Sequence, residues 1–229
     1  MSGMERLETV ETLTDQAHRS IKRYILGGHI PTDERLTEGF FAEKLGISKS
    51  PVREALNALQ NEGLLRIEPR KGIYLRRFTA KEIFDLYGLR EALEVYATQI
   101  VLITPEFIKA LQESLERTAG FLAKDDKSSY IEEDIAFHRL IVVSTENEQL
   151  SQMHSNIQEK LWLCRCQTYQ LTSPDTPSAH LAIAKAFQDE DRKQAIQATR
   201  KHIRFVRDAL VRSIDPLRKR IKLESKLNP

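Results

Sequence analysis

Apolar residues recur with a helical period along most of this chain, and the pattern shortens to an extended one only once. Leu13, Ala17, Ile21, Tyr24 and Ile25 mark one face of a helix over Leu13 to Leu26 that stops at Gly27-Gly28. Thr37 to Leu45 reads as a short second helix with Phe40, Phe41 and Leu45 turned inward. A third helix opens at Ser48-Lys49-Ser50-Pro51, where Ser48 or Ser50 can accept from the free N–H groups of the first turn and Pro51 sits where no donor is needed. Val52, Ala55, Leu56 and Leu59 give that helix one apolar stripe, leaving Lys49, Ser50, Arg53 and Asn57 outside. Leu64-Leu65-Arg66-Ile67 and Ile73-Tyr74-Leu75-Arg76 then flank Pro69-Arg70-Lys71-Gly72, the pattern of a hairpin with a basic tip.

Beyond Phe78 the period is helical throughout. Thr79 and Glu82 form a capping box before Ile83, Leu86, Leu89, Leu93 and Tyr96, which are expected to face inward. Thr104-Pro105-Glu106 opens a helix ending near Ala123, and Asp125-Asp126-Lys127 is a connector. Further helices are expected at about Ser129 to Val143, Asn147 to Tyr169, Pro177 to Asp189 and Asp191 to Ser213, with Ser173-Pro174-Asp175-Thr176-Pro177 as the clearest loop. Six helices with short joints predict an antiparallel bundle. The fold class is therefore mainly α: an N-terminal winged helix-turn-helix over residues 1–78, a six-helix bundle over 79–214 and a polar tail over 215–229.

Charge changes this picture locally. The chain has 35 Lys+Arg against 33 Asp+Glu, so it is no bulk polycation. From Lys49 to Arg77, however, seven cations (Lys49, Arg53, Arg66, Arg70, Lys71, Arg76, Arg77) face three acids (Glu54, Glu62, Glu68). Cations at the start of the third helix oppose its macrodipole at a cost of roughly a few tenths of a kcal/mol, which phosphates or guanine edges would offset. Such a helix beside a basic hairpin is how a winged module meets the major groove of DNA. The expected DNA contacts are Ser48, Lys49, Ser50, Arg53 and Asn57 on the helix, and Arg70, Lys71 and Gly72 in the wing. An apolar fraction of 41% is ordinary for a water-soluble protein, and no run approaches a membrane span. Met1-Ser2-Gly3-Met4-Glu5 lacks the apolar core of a signal peptide, so a cytoplasmic protein without membrane attachment is expected. Cys164 and Cys166 lie two apart in an expected helix and read as buried reduced thiols.

Ser48, Pro51, Val52, Arg53, Glu54, Ala55, Leu56, Leu59, Glu62, Gly63 and Leu64 resemble, in register, the signature of GntR-type bacterial transcription regulators, and the resemblance spans the first seventy-eight or so residues. It implies binding to a double-stranded operator. Three positions depart from the family pattern: Lys49 stands where Arg is common, Thr32-Asp33 replaces a usual Pro-Gly turn, and Gly39 occupies a position that carries a DNA-contacting Arg in some relatives. A lysine there specifies a base less tightly than a bidentate guanidinium.

In the bundle, Asp134 and His138 share a helix face, while His180 and His202 fall on two later helices. By spacing alone these residues read as a surface pair and core histidines, or as metal ligands. The stretch from about Thr79 to Leu210 is similar to the FCD ligand-binding domain of the FadR-type branch, in the six-helix length of its VanR-like subgroup. That resemblance implies a divalent transition metal, Zn with Ni or Mn as alternatives, on Asp134, His138, His180 and His202. It places Arg90 at the effector cavity, with Arg165 as a second candidate; Arg90 also reads as a surface ion pair with Glu94. Trp162 and Tyr169 can add a flat apolar wall or serve as core. A metal beside a guanidinium suits a small carboxylate metabolite. The expected function is thus a metabolite-responsive regulator, a repressor acting as a homodimer on an inverted repeat. The rival readings are a metal-dependent hydrolase or lyase fused to a DNA-binding domain, and an architectural DNA binder with a structural metal. No HExxH, GxSxG or P-loop pattern supports the enzyme.

Overall fold

The computed structural model describes residues 11–27, 30–31, 34–166 and 175–214. Gly28, Thr32-Asp33, Tyr169, Ser173-Pro174 and the tail 215–229 lie outside the described residues, as does the side chain of Cys166. Two compact units divide the chain between Arg76 and Arg77, slightly ahead of the expected boundary after Phe78, which is buried.

The first unit contains α1 (Leu13–Leu26), α2 (Glu38–Leu45), α3 (Lys49–Asn61), β1 (Leu65–Glu68) and β2 (Gly72–Leu75). Thr12 and Asp15 cap α1 reciprocally, and Thr37 caps α2 by accepting from the Phe40 amide at 3.1 Å. Gly46 ends α2 with φ 67, a left-handed closure that costs glycine nothing. Helix α1 packs on α3, burying Ala17, Ile21 and Ile25 from one and Val52, Ala55, Leu56 and Leu59 from the other. Two residues of the expected α1 stripe differ: Leu13 is exposed, and Tyr24 lies at the margin, 6.2 Å from the Phe40 ring centroid. Polar ties reinforce the same contact, because Thr14 donates to Glu54 at 2.9 Å and Glu62 meets His18 at 2.6 Å and Lys22 at 2.9 Å. The expected capping bond from Ser48 does not form, although Ser48 holds the N-cap position of α3.

Strands β1 and β2 pair antiparallel, with Leu65 opposite Leu75 and Glu68 opposite Gly72. Leu36 extends this wing by exchanging two backbone hydrogen bonds with Ile73, at 2.8 and 3.0 Å. At the tip the Lys71 amide donates to the Glu68 carbonyl at 3.0 Å, with Pro69 second in the turn and Arg70 third at φ 64. That residue order is the type II pattern, in which the third position ordinarily takes glycine.

The second unit holds α4 (Ala80–Ile100), α5 (Pro105–Ala123), α6 (Lys127–Val143), α7 (Glu148–Cys166), α8 (Thr176–Gln188) and α9 (Arg192–Ile214). The capping box of Thr79 and Glu82 is present, Thr104 and Pro105 start α5, and Asp126 caps α6 about a half-turn earlier than expected. Helix α4 packs against α6, α7 and α9, while α5 packs against α6 and α8. Ala97, Val101, Leu111, Phe137, Ile141, Ile183, Phe187 and Ala195 are among the residues of their shared core. Arg192 secures the end of α4 by donating to the carbonyls of Thr98, Gln99 and Val101 at 2.8–3.0 Å. Cys164 is buried. Among the described residues no helix is long and apolar enough to cross a membrane.

The expected inner stripe of α4 is corrected. Ile83 is buried, but Leu89 and Tyr96 are 43% and 48% exposed, and the interior positions belong to Tyr87, Arg90, Glu94, Ala97 and Thr98. The physical reason is that these polar residues have internal partners, so the helix turns its polar phase inward and leaves part of its apolar phase outside.

The wing tip yields a pair of opposite outcomes. Arg70→Gly should stabilise the first unit by roughly 0.5–1 kcal/mol, because a left-handed backbone is costly for a side chain. Gly72→Ala should destabilise it by about 1–3 kcal/mol, since Gly72 has φ 141 and an added Cβ would lie 2.8 Å from Arg35 Cγ. Denaturant titrations of the two variants check the signs, and equal shifts would contradict this account of the turn.

Candidate metal centre and nucleic-acid interface

In the second unit the bundle brings four chosen residues to one point. Asp134 and His138 sit one turn apart on α6, His180 lies in the first turns of α8 and His202 on α9. All four are buried, and one ligand atom from each lies within 4.8 Å of the others. His138 Nε2 is 3.1 Å from both His180 Nε2 and His202 Nε2, and His180 Nε2 is 3.3 Å from Asp134 Oδ1. Imidazole nitrogens held 2.0–2.1 Å from a single ion would stand roughly 2.9–3.4 Å apart, depending on the coordination angle. The donor set therefore fits a divalent transition metal in both chemistry and spacing. Ring stacking holds the orientation: Phe137 lies parallel to His180 at 4.1 Å, and His138 stacks on His202 at 5.0 Å.

Electrostatics favour the ligating forms. Burial, reinforced by neighbouring His138, pushes the His180 imidazole down to about 3. Burial likewise lowers His202, and it lowers His138 against the opposing pull of Glu94. Burial would raise the Asp134 carboxyl, but the Arg165 guanidinium leads a set of cationic neighbours that hold it below its ordinary value. Neutral imidazoles and an ionised carboxylate are what a metal binds.

Around the centre lies a polar shell that the sequence did not announce. Arg165 pairs with Asp134 Oδ2, so this effector candidate is engaged by a candidate ligand. Arg90 is fully buried and donates through Nε to Glu94 Oε1 at 2.7 Å, while its Nη1 and Nη2 find no hydrogen-bond partner among the described residues. The expected Arg90–Glu94 pair thus exists, but in the interior rather than on the surface. Glu94 also lies 2.7 Å from His138 Nδ1 and 3.0 Å from His154 Nε2, and His154 continues to Gln158 at 2.7 Å. Sequence reasoning missed Glu94, His154 and Gln158. The available signal was the recurrence of Tyr87, Arg90, Glu94 and Thr98 on one face of α4. Trp162 is buried, on α7.

In the first unit Ser48, Lys49, Ser50, Arg53 and Asn57 are exposed along α3, as are Arg70 and Lys71 in the wing, while Gly72 is half-buried. A groove of about 470 Å³ runs between them, lined by Arg35, Lys49, Arg53, Asn57, Arg70 and Gly72 among others. Arg53 is not free as expected: its Nε and Nη2 donate to Glu38 of α2 at 2.7 and 2.8 Å. Hydrogen bonding from Arg53 holds the Glu38 carboxyl below its ordinary value. Lys71 and Arg66 both approach Glu68, whereas Lys49 and Arg70 make no salt bridge among the described residues. Arg35 and Glu38 were not anticipated from sequence.

Family comparison decides what these two units are. Residues 13–75 match the bacterial regulatory proteins of the gntR family, and residues 85–205 match the FCD domain, more than half of the chain. The chain belongs to the GntR family. It is a DNA-binding transcriptional regulator of that family with an FCD domain, and not an enzyme. An uncharacterized HTH-type regulator, YdhC of Bacillus subtilis, is 27% identical over 82% of this chain and 84% of its own. The Nta operon transcriptional regulator of Aminobacter aminovorans is 32% identical over 62% of this chain and 68% of its own. Among solved structures, E. coli McbR/YncC has the same fold, with a TM-score of 0.75 and 21% identity over 90% of this chain and all of that one.

The depressed histidines give a pH prediction for metal-free protein. A group whose folded pKa lies below its unfolded value stabilises the fold above the unfolded pKa and loses that contribution as pH falls. For His180 the window runs from 6.5 down to about 3, at up to about 1.4 kcal/mol per pH unit. Denaturant unfolding at pH 7 and pH 5 should show the loss, and His180→Gln should flatten it. An equal slope in the variant would mean that His180 is not held neutral.

Proposed function

We propose that this GntR-family protein is a cytoplasmic, metabolite-responsive repressor that binds an inverted-repeat operator as a homodimer and is released by a small carboxylate bound at a metal centre. The single observation that supports the effector site is the convergence of Asp134, His138, His180 and His202 within 4.8 Å. Charge supports the ligand class. The buried guanidinium groups of Arg90 and Arg165 are cancelled by the carboxylates of Glu94 and Asp134, so a divalent ion, Zn with Ni or Mn as alternatives, adds two positive charges that an anion would offset. The two unpartnered Nη groups of Arg90 are suited to grip a carboxylate. Arg165, held by Asp134, is a supporting contact at most. Six described helices in the second unit accord with the VanR-like subgroup.

Dimerisation is supported by the outer face of α4, where Leu89, Ala92, Tyr96 and Ile100 are exposed at helical spacing. Two modules on a two-fold axis add their binding free energies, which a single module cannot do for a unique site. On the DNA side, Ser48, Lys49, Ser50, Arg53 and Asn57 would enter the major groove while Arg70, Lys71 and Gly72 follow the phosphates. The uncommitted Ser48 hydroxyl at the start of α3 suits a phosphate contact.

Arg53→Ala should weaken specific operator binding by roughly 1–3 kcal/mol, and Lys71→Ala should lower the salt dependence by about one counterion. Binding isotherms at several salt concentrations separate the two effects. An Arg53→Ala protein that binds the natural operator like wild type would refute this docking.

For the effector site, elemental analysis should find close to one transition-metal ion per chain. His180→Ala combined with His202→Ala should lose it to a chelator. Arg90→Ala should keep both metal and operator binding, yet need much more effector to release DNA. A wild type that stays metal-free, with an unshifted melting temperature after incubation with Zn or Ni, would return the histidines to core packing.

A further inference from the structure

We propose that Glu94 is the positioning residue of this centre: its carboxylate fixes His138 as the Nδ1-protonated tautomer, so that Nε2 turns its lone pair to the ion. The inference rests on reading Asp134, His138, His180 and His202 as metal ligands. An imidazole ligates through its unprotonated nitrogen, and the partner of the other nitrogen decides which one that is.

Among the three histidines only His138 meets a carboxylate at its far nitrogen. Glu94 Oε2 lies 2.7 Å from His138 Nδ1, a close contact that falls short of an aligned hydrogen bond but that leaves no room for two facing lone pairs, whereas no such carboxylate contact is made by the Nδ1 atoms of His180 and His202 among the described residues. His138 is also the central ring, with Nε2 at 3.1 Å from each of the other two. Its tautomer therefore determines the state of the whole cluster. A neutral His138 protonated on Nε2 would donate to His180 or His202 and close the centre as a hydrogen-bonded histidine group. Protonation on Nδ1 leaves all three Nε2 atoms able to present lone pairs.

Glu94 is built to impose that choice. It is 2% exposed, and its other oxygen, Oε1, is held by Arg90 Nε at 2.7 Å and by His154 Nε2 at 3.0 Å. Anchored in this way, the carboxylate turns to His138 an oxygen that has no proton to donate and can only accept. The same anchor joins the metal ligand to the arginine that would grip the effector. Metal affinity and Arg90 are thereby linked through one side chain.

Glu94→Gln tests the inference without changing shape. Arg90 Nε needs an acceptor, so the amide oxygen faces Arg90 and the NH₂ faces His138 Nδ1, which reverses the tautomer. Chelator competition with Zn should give wild-type stoichiometry near one ion per chain and a 10–100-fold weaker affinity in the variant. Nitrogen-15 NMR of the metal-free proteins supplies an independent readout. His138 should carry its proton on Nδ1 in wild type and on Nε2 in Glu94→Gln. Unchanged Zn affinity in a folded variant, or Nε2 protonation of His138 in wild type, would overturn the role given to Glu94. Should the variant fail to fold, the wild-type spectrum alone decides. A wild type that binds no Zn defeats the metal reading itself, while the tautomer measurement still judges Glu94.

Discussion

Burying ionised groups is the constraint on which the helical unit depends. Arg90, Glu94, Asp134 and Arg165 are all removed from water, and isolated burial of any one would cost several kcal/mol. Their placement makes each the partner of another: Arg90 with Glu94, Arg165 with Asp134. The two pairs reach different rings of the histidine cluster, one reaching His138 through Glu94 and the other reaching His180 through Asp134. The apolar core is conventional and lies along the same helices. What distinguishes this bundle is a charged interior that is neutral as a set.

Much of the fold was legible because its determinants are local. Thr79 with Glu82, Thr104 with Pro105, and Gly46 after Leu45 are capping chemistry that needs no tertiary information. The α3 stripe was legible too, since Val52, Ala55, Leu56 and Leu59 all turned out buried. Helix α4 departs from its hydropathy because Arg90 and Glu94 look like surface residues, and only their pairing with each other, together with the contacts of Glu94 to His138 and His154 on other helices, makes the interior tolerable. By spacing alone Asp134, His138, His180 and His202 are an open set; family resemblance singles them out as candidate ligands, and the fold brings the four together. Glu94 and His154 carried no such cue. The role of Glu38 was hidden for a similar reason: its bond to Arg53 joins two helices fifteen residues apart.

The DNA-binding unit accepts local cost along α3 and at the tip of the wing. Arg70 takes a backbone conformation that glycine would hold more easily, and Lys49 places a cation where the helix dipole is already positive. Neither choice improves packing, and both present charge at the groove between α3 and the wing. Gly72 shows the reverse economy. Its missing side chain lets Arg35 lie against the turn, so a loop arginine becomes part of the wing surface without any contact of its own in the hairpin ladder.

The three attachments of Glu94 differ in kind. Arg90 lies on the same helix, one turn away, so their bond is insensitive to how the helices slide past each other. His138 and His154 belong to α6 and α7, and their distances to Glu94 change with any displacement of those helices along α4. An N···O contact as close as 2.7 Å is altered by a shift of only a few tenths of an ångström. Glu94 therefore touches residues of three helices at once, so that a small mechanical shift in the bundle would alter the surroundings of one imidazole.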